Sequence, residues 1–493
     1  MKKGIFIGLV LTFIVSTVLT LFSCSFESEK KLSNYELNLT FDDETMTLDG
    51  EETIEYINNS DNMFTNLYFH LYPNAFREEA KNAIVSQLDR DDAYPNGESY
   101  GEISINKVYN ENENLDYVIE GEDENILNIS LKEELYPDET VVIKIDFSVT
   151  LANINHRLGY GENTINFGNF YPIACVYENG KGFSQDLYHS NGDPFYSDCA
   201  NYDVSITYPS SYKLASSGVI KKTSQDGDNI CSEISETKIR DFCFVLSDKF
   251  EVVSTKIDGI EVNYYGYIND DNLQSCLEIS AKAISTFNDM FGEYPYQQIS
   301  VVKSNFVQGG MEYPNIVLIS DKYSLQNDYN YVIVHEIAHQ WWYGVVGNDE
   351  YNHAWQDEGL TEYSTLLFFR ENSDYGIDFD SCINNTLASY KLFEKIYLQV
   401  TGEVDGRMDR ALNEFNTEPE YVQCTYNKGV LLFNTIEETI GKDKFLKALK
   451  NYYKSFKFKN ASPADMIDCF NKASGYDIEN LFYSWIEGKV IIA

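Results

Sequence analysis

Between residues 34 and about 255 the chain alternates between apolar and polar positions. Tyr35, Leu37, Leu39 and Phe41 are separated by Glu36, Asn38 and Thr40. Ile143, Ile145, Phe147, Val149 and Leu151 are separated by Lys144, Asp146, Ser148 and Thr150, and Tyr202, Val204, Ile206 and Tyr208 repeat the pattern. A period of two buries one face and wets the other, which predicts antiparallel strands. Gly, Asn and Asp clusters between them read as turns. Residues 34–255 are expected to be one large antiparallel β domain.

The period then changes. Leu273, Leu277, Ile284, Phe287 and Phe291 recur at helical spacing, with Asp270 as the expected N-cap and Gly292 as the stop. Short strands are expected near Ile299–Val302 and Ile316–Ile319, and helices from about residue 328 onward. Ser462-Pro463 pairs an N-cap with Pro at the first helical position. At 493 residues the chain exceeds one ordinary domain. The expected class is α+β: the β domain, then an α/β and helical domain over 256–493.

Lys2 and Lys3 precede an almost wholly apolar run, 4–22, that ends in Leu21-Phe22-Ser23-Cys24. A small residue before Cys at the end of an apolar core resembles a bacterial lipobox. It implies a signal peptide over 1–24, lipidation of Cys24 and a polar tether over 25–33. An uncleaved membrane anchor or plain secretion are the alternatives, and all three place the rest of the chain outside the cytoplasm, with the lipid anchor holding it at the outer face of the cell membrane. The formal net charge of −41, from 78 acidic and 37 basic residues, opposes nucleic-acid binding, and no basic patch is expected to offset it. The remaining eight cysteines contain no CxxC pair, so a sulfur-ligated zinc site is not expected. Cys175 with Cys199, and Cys231 with Cys243, are candidate local disulfides.

The strongest chemical signal is His335-Glu336-Ile337-Ala338-His339, led in by Val332, Ile333 and Val334 and ended by Gly344. On a helix, residues four apart differ by about 40° and rise about 6 Å, so both imidazoles reach one ion. Glu336 points about 100° away from His335, beside the metal without ligating it, where a general base belongs. Catalytic zinc needs a third protein ligand and an open position. Glu358, in Asp357-Glu358-Gly359-Leu360-Thr361-Glu362, is the candidate, and Glu362, one turn on, is the alternative. Trp341 and Trp342 read as core.

These residues resemble the aminopeptidase N family of gluzincin zinc metallopeptidases, whose pattern is HExxH, eighteen residues, then Glu. Gly309-Gly310-Met311-Glu312-Tyr313 is similar to that family's Gly-Ala-Met-Glu-Asn motif, with Gly for Ala and Tyr for Asn. Tyr426-Asn427-Lys428-Gly429 is similar to its Tyr-x-Lys-Gly. The resemblance implies a thermolysin-like catalytic domain with one Zn2+ per chain, held by His335, His339 and Glu358. It implies Glu336 as general base, Tyr426 as donor to the oxyanion and Glu312 as partner of the substrate's α-amine. Gly309, Gly310 and Met311 would lie along the substrate backbone. The implied activity is hydrolysis of N-terminal residues from extracellular peptides. The family takes a second amine-binding residue from its β domain, which the sequence does not locate. Larger members carry a long helical C-terminal domain over the cleft. Without it a more open cleft is expected, which keeps an endopeptidase as the alternative, alongside a non-catalytic surface-binding lipoprotein.

Overall fold

Along the strand Asn34–Asp42, Tyr35, Leu37, Leu39 and Phe41 are buried and the residues between them exposed. This computed structural model describes residues 31–490 apart from positions 83 and 112. The signal segment and Cys24 lie outside the described residues. Ser33–Ala493 forms a compact unit of its own.

The strand sits in a seven-stranded sheet. Its order is Val219–Asp226, Asn229–Ile239, Ala200–Pro209, Asn34–Asp42, Thr47–Ile57, Thr140–Thr150 and Glu102–Tyr109. One pair departs from the antiparallel expectation: Asn34–Asp42 runs parallel to Ala200–Pro209. Alternation reports which face is buried and carries no information about a neighbour's direction.

A second, five-stranded sheet carries the chemistry. Its order is Phe250–Ile257, Ile260–Tyr267, Gln298–Ser304, Ile316–Ser320 and Gly310–Met311. The central pairs are parallel and the two outer pairs antiparallel. Phe250–Ile257 straddles the expected boundary at 255/256 and pairs within this second sheet. Gly310–Met311 is the sheet edge.

The helix Leu273–Phe291 has the expected bounds and stops at Gly292, whose φ of +132° suits glycine. Its N-terminal flank is Asn272 rather than Asp270. Asp270 accepts from the Asn272 N–H at 3.0 Å and pairs with Lys303 at 2.6 Å. Ser462 and Asp465 form a reciprocal capping box for Pro463–Ser474.

Two expectations fail. All eight described cysteines are free: Cys231 is half-buried beside Ser205, Cys243 is fully buried, and Cys175 and Cys199 are buried and unpaired. The surface also has a basic patch. The helix Lys442–Phe456 buries Phe445, Ala448, Leu449, Tyr452 and Tyr453 and exposes Lys447, Lys450 and Lys454. In sequence these lysines are interleaved with apolar residues, and only the helical period gathers them on one face.

Candidate metal centre

The helix Gln326–Ala338 carries His335 and Glu336, and His339 is its C-cap. Ile333, Val334 and Ile337 are buried in the core, anchoring the helix. The chain then turns through Trp341 and Trp342, both buried, whose indole N–H groups donate to Gly292 O at 2.8 Å and Ser364 Oγ at 3.0 Å. They are packing residues, as expected.

Glu358 comes from a π-helical turn, Trp355–Gly359, that feeds the helix Leu360–Glu371. Tyr426 sits in a second such turn, Gln423–Asn427, ahead of the helix Lys428–Ile440. Widened turns of this kind concentrate at functional sites. The two cross at glycines: a Cβ on Gly359 would come within 2.9 Å of Gly429 Cα. This close approach accounts for glycine at both positions, and across it Tyr426 Oη donates to Glu358 Oε1.

Three donor atoms converge. His339 Nε2 is 3.2 Å from His335 Nε2 and 3.1 Å from Glu358 Oε2, and His335 Nε2 is 3.4 Å from Glu358 Oε2. Tetrahedral zinc, with ligand bonds of about 2.0–2.1 Å, spaces its donors roughly 3.3 Å apart. The triangle therefore fits zinc. The other ring nitrogens are held from behind. His339 Nδ1 lies 3.0 Å from Trp342 O, which orients Nε2 toward the triangle. His335 Nδ1 lies 2.8 Å from Glu362 Oε2, an ion-pair contact without an aligned N–H. Glu362 also accepts from Tyr331 Oη at 2.6 Å. Glu362 is thus placed behind His335, and Glu358 is the residue that joins the triangle. Glu362→Gln should weaken zinc binding by about 10–100-fold, read by chelator competition.

The surroundings are strongly acidic. Burial pushes the Glu336 carboxyl up to about 7, against the pull of His335 and His339, and its Oε2 has no partner among the described residues. Burial likewise raises Glu312, whose Oε1 is buried and unpartnered. Burial alone would raise Glu358, but the neighbouring imidazoles hold it well below the usual carboxylate range. Burial disfavours a charged His339, yet Glu312 and Glu358 hold it up at about 10. The clustered carboxylates favour positive charge, which a divalent ion held by His335, His339 and Glu358 would supply in place of protons.

The predicted substrate segment borders this centre. Gly310–Met311 is the edge strand, and a Cβ on Gly310 would collide with Glu336 Oε1, so glycine makes room for that carboxylate. Tyr313, the departure from the family motif, is fully buried and donates to Asn169 Oδ1 beside Gly168, where a Cβ would strike the phenol. It ties the segment bearing Glu312 to the region before residue 255.

The sequence did not reveal Asp193. Carboxylate oxygens of Asp193, Glu312 and Glu358 lie within 4.8 Å of one another. Asp193 is paired with buried Arg157, whose Nη1 also contacts Met311 Sδ at 3.2 Å. Asn191-Gly192-Asp193-Pro194 reads as an ordinary turn, so no local signal marks it. His353, between the two ligand-bearing segments, has Nδ1 2.6 Å from Asp409 Oδ1.

The family model described as "Peptidase family M1 domain" matches residues 275–485. The matched stretch contains the triangle, Glu336, Glu312 and Tyr426, whereas Asp193 and Arg157 precede it. Among similar proteins, Aminopeptidase M1-D of Oryza sativa is 24% identical over 49% of this chain and 28% of its own length. Aminopeptidase 2, mitochondrial, of Saccharomyces cerevisiae is 24% identical over 57% of this chain and 30% of its own. The chain thus matches under a third of the length of these relatives. Beyond the matched stretch the likeness is one of fold: the M1 zinc metallopeptidase from Deinococcus radiodurans superposes with a TM-score of 0.66 at 16% identity, covering 94% of this chain and 96% of that one.

Proposed function

We propose that this protein is a zinc-dependent aminopeptidase that removes N-terminal residues from peptides outside the cytoplasm. The observation that carries this reading is the donor triangle of His335, His339 and Glu358, with carboxylate oxygens of Glu312 and Asp193 within 4.8 Å of one another and of Glu358. His335, His339 and Glu358 would hold a zinc ion, which would supply Lewis-acid polarisation of the scissile carbonyl and a water of lowered pKa. The protein's residues do the rest. Glu336 removes a proton from the attacking water and passes it to the leaving amine, a role suited to a buried carboxylate beside the metal ligands with an unpartnered oxygen. Tyr426 turns its hydroxyl from Glu358 to the developing oxyanion. The backbone of Gly310–Met311 pairs with the peptide as an added edge strand. Glu312 and Asp193 bind the α-ammonium, giving the buried Glu312 Oε1 the hydrogen-bond donor it lacks and fixing cleavage at the first peptide bond.

The test compares a free peptide with its N-acetylated form. Losing a buried ammonium–carboxylate pair costs about 2–5 kcal/mol, so acetylation should cut kcat/KM by roughly 30-fold to several thousandfold. Equal cleavage of both forms would assign an endopeptidase to the same centre. The lipobox-like Leu21-Phe22-Ser23-Cys24 further supports a lipid-anchored enzyme at the outer face of the membrane. No helix among the described residues is long and apolar enough to cross one. Mass spectrometry of the mature N-terminus tests the lipid on Cys24.

A further inference from the structure

The basic helix face lies beside the point where the chain enters the fold. Ser33 O accepts from Asn201 N at 3.0 Å, and Asn201 Oδ1 accepts from Lys238 N at 3.2 Å. Lys238 Nζ stands 5.3 Å from the centre of the Phe458 ring, and Lys457 Nζ stands 5.1 Å from that same ring. From there the exposed lysines continue: Lys459 on one side, and Lys454, Lys450 and Lys447 up the helix Lys442–Phe456. Nearby Lys442 and Lys472 are tied to Glu371 and Asp468. Among the described residues, Lys447, Lys450, Lys454 and Lys459 have no ion pair. Acids near this face include Glu293, which acts on Lys457, Asp198, which accepts from Asn460 Nδ2 at 2.9 Å, and Asp443 in the first turn of the helix. They do not balance the lysines.

A cluster of cations on a chain of net charge −41 is a local feature. At physiological salt the field of distant acids is screened beyond about 8 Å, so a partner at this face meets the lysines and not the overall charge. The position of Ser33 selects the partner. From Cys24 to Ser33 the chain can span at most about 30 Å. A lipid on Cys24 therefore keeps Ser33, beside this face, within that reach of a bilayer.

We propose that the face formed by Lys450, Lys454, Lys457 and Lys459 docks on the anionic phospholipid headgroups of the membrane in which the N-terminus is anchored. The ammonium groups meet phosphate, and the partly exposed Phe458 between Lys238 and Lys457 lies at the headgroup level. The docking sets the orientation of the enzyme, where the tether alone leaves it free to rotate. This inference rests on the membrane-anchored reading above, and the experiment separates the two.

Because Ser33–Ala493 is a compact unit of its own, a chain beginning at Ser25 retains the face without any anchor. It should co-sediment with vesicles of phosphatidylcholine and phosphatidylglycerol in equal parts, not with phosphatidylcholine alone, and added salt should release it. A K450Q/K454Q/K457Q/K459Q variant should lose about fivefold in binding per lysine, several hundredfold in all. Its peptidase activity on a soluble peptide should be unchanged, which shows that it folds. A K81Q/K107Q/K132Q/K256Q control should bind as the parent does. Equal binding to neutral vesicles, no loss in the first variant, or binding to a soluble polyanion such as heparin without vesicle binding would overturn the proposal. If Cys24 proves unmodified while binding to anionic vesicles persists, the anchor reading falls and the docking surface stands.

Discussion

Replacing Glu336 by Gln should lower kcat/KM for free-amine peptides by about 10²–10⁴-fold and leave zinc content unchanged. The amide has the shape of the carboxylate, so the contact with Gly310 and the helix Gln326–Ala338 are preserved. It cannot accept a proton. Glu336 is buried, its Oε2 has no partner among the described residues, and it lies outside the donor triangle. The loss should therefore fall on kcat, with substrate binding retained through Glu312 and the edge strand. Steady-state kinetics with metal analysis of the same sample check this. A variant that lost zinc along with activity would show Glu336 acting as a ligand, and full activity would remove it from the reaction.

The second large effect concerns the metal. His335→Ala should reduce zinc affinity by well over 100-fold, since it deletes a ligand, and the supporting residues behind metal ligands alone are worth 10–100-fold. This substitution discriminates between two arrangements. Glu312, His339 and Asp357 also bring one donor atom each within 4.8 Å of the others. An ion held by that second set would survive the loss of His335. Chelator competition on the variant decides the matter: retained tight binding would shift the metal away from the triangle of His335, His339 and Glu358.

Local pattern made much of this legible in advance. Leu273–Phe291 has its predicted bounds because its apolar spacing and its glycine stop agree. The strand Asn34–Asp42 follows its alternation residue by residue. His335, Glu336 and His339 were placed by helical geometry alone. The family resemblance puts Glu358 ahead of Glu362, and in the structure the turn Trp355–Gly359 brings Glu358 to the triangle, while Glu362 lies behind His335 against Tyr331. What the sequence could not supply is long-range. Asp193 joins Glu312 across more than a hundred positions, from a turn with no distinguishing residue types. The reach of Tyr313 to Asn169 depends on a glycine at 168 that looks like any other loop glycine. The parallel pairing of Asn34–Asp42 with Ala200–Pro209 is invisible to a pattern that records only burial. The basic face was missed for a different reason: a surplus of acid in the composition hid a helix whose lysines share one side.

Everything chemical here depends on an ion sitting between His335 Nε2, His339 Nε2 and Glu358 Oε2. The most direct measurement is an anomalous difference map collected at the zinc absorption edge from crystals of the native protein. One strong peak within bonding distance of those three atoms, beside the Glu336 carboxylate, is the predicted result. No peak there, or a peak bound by Glu312, His339 and Asp357 instead, would contradict it.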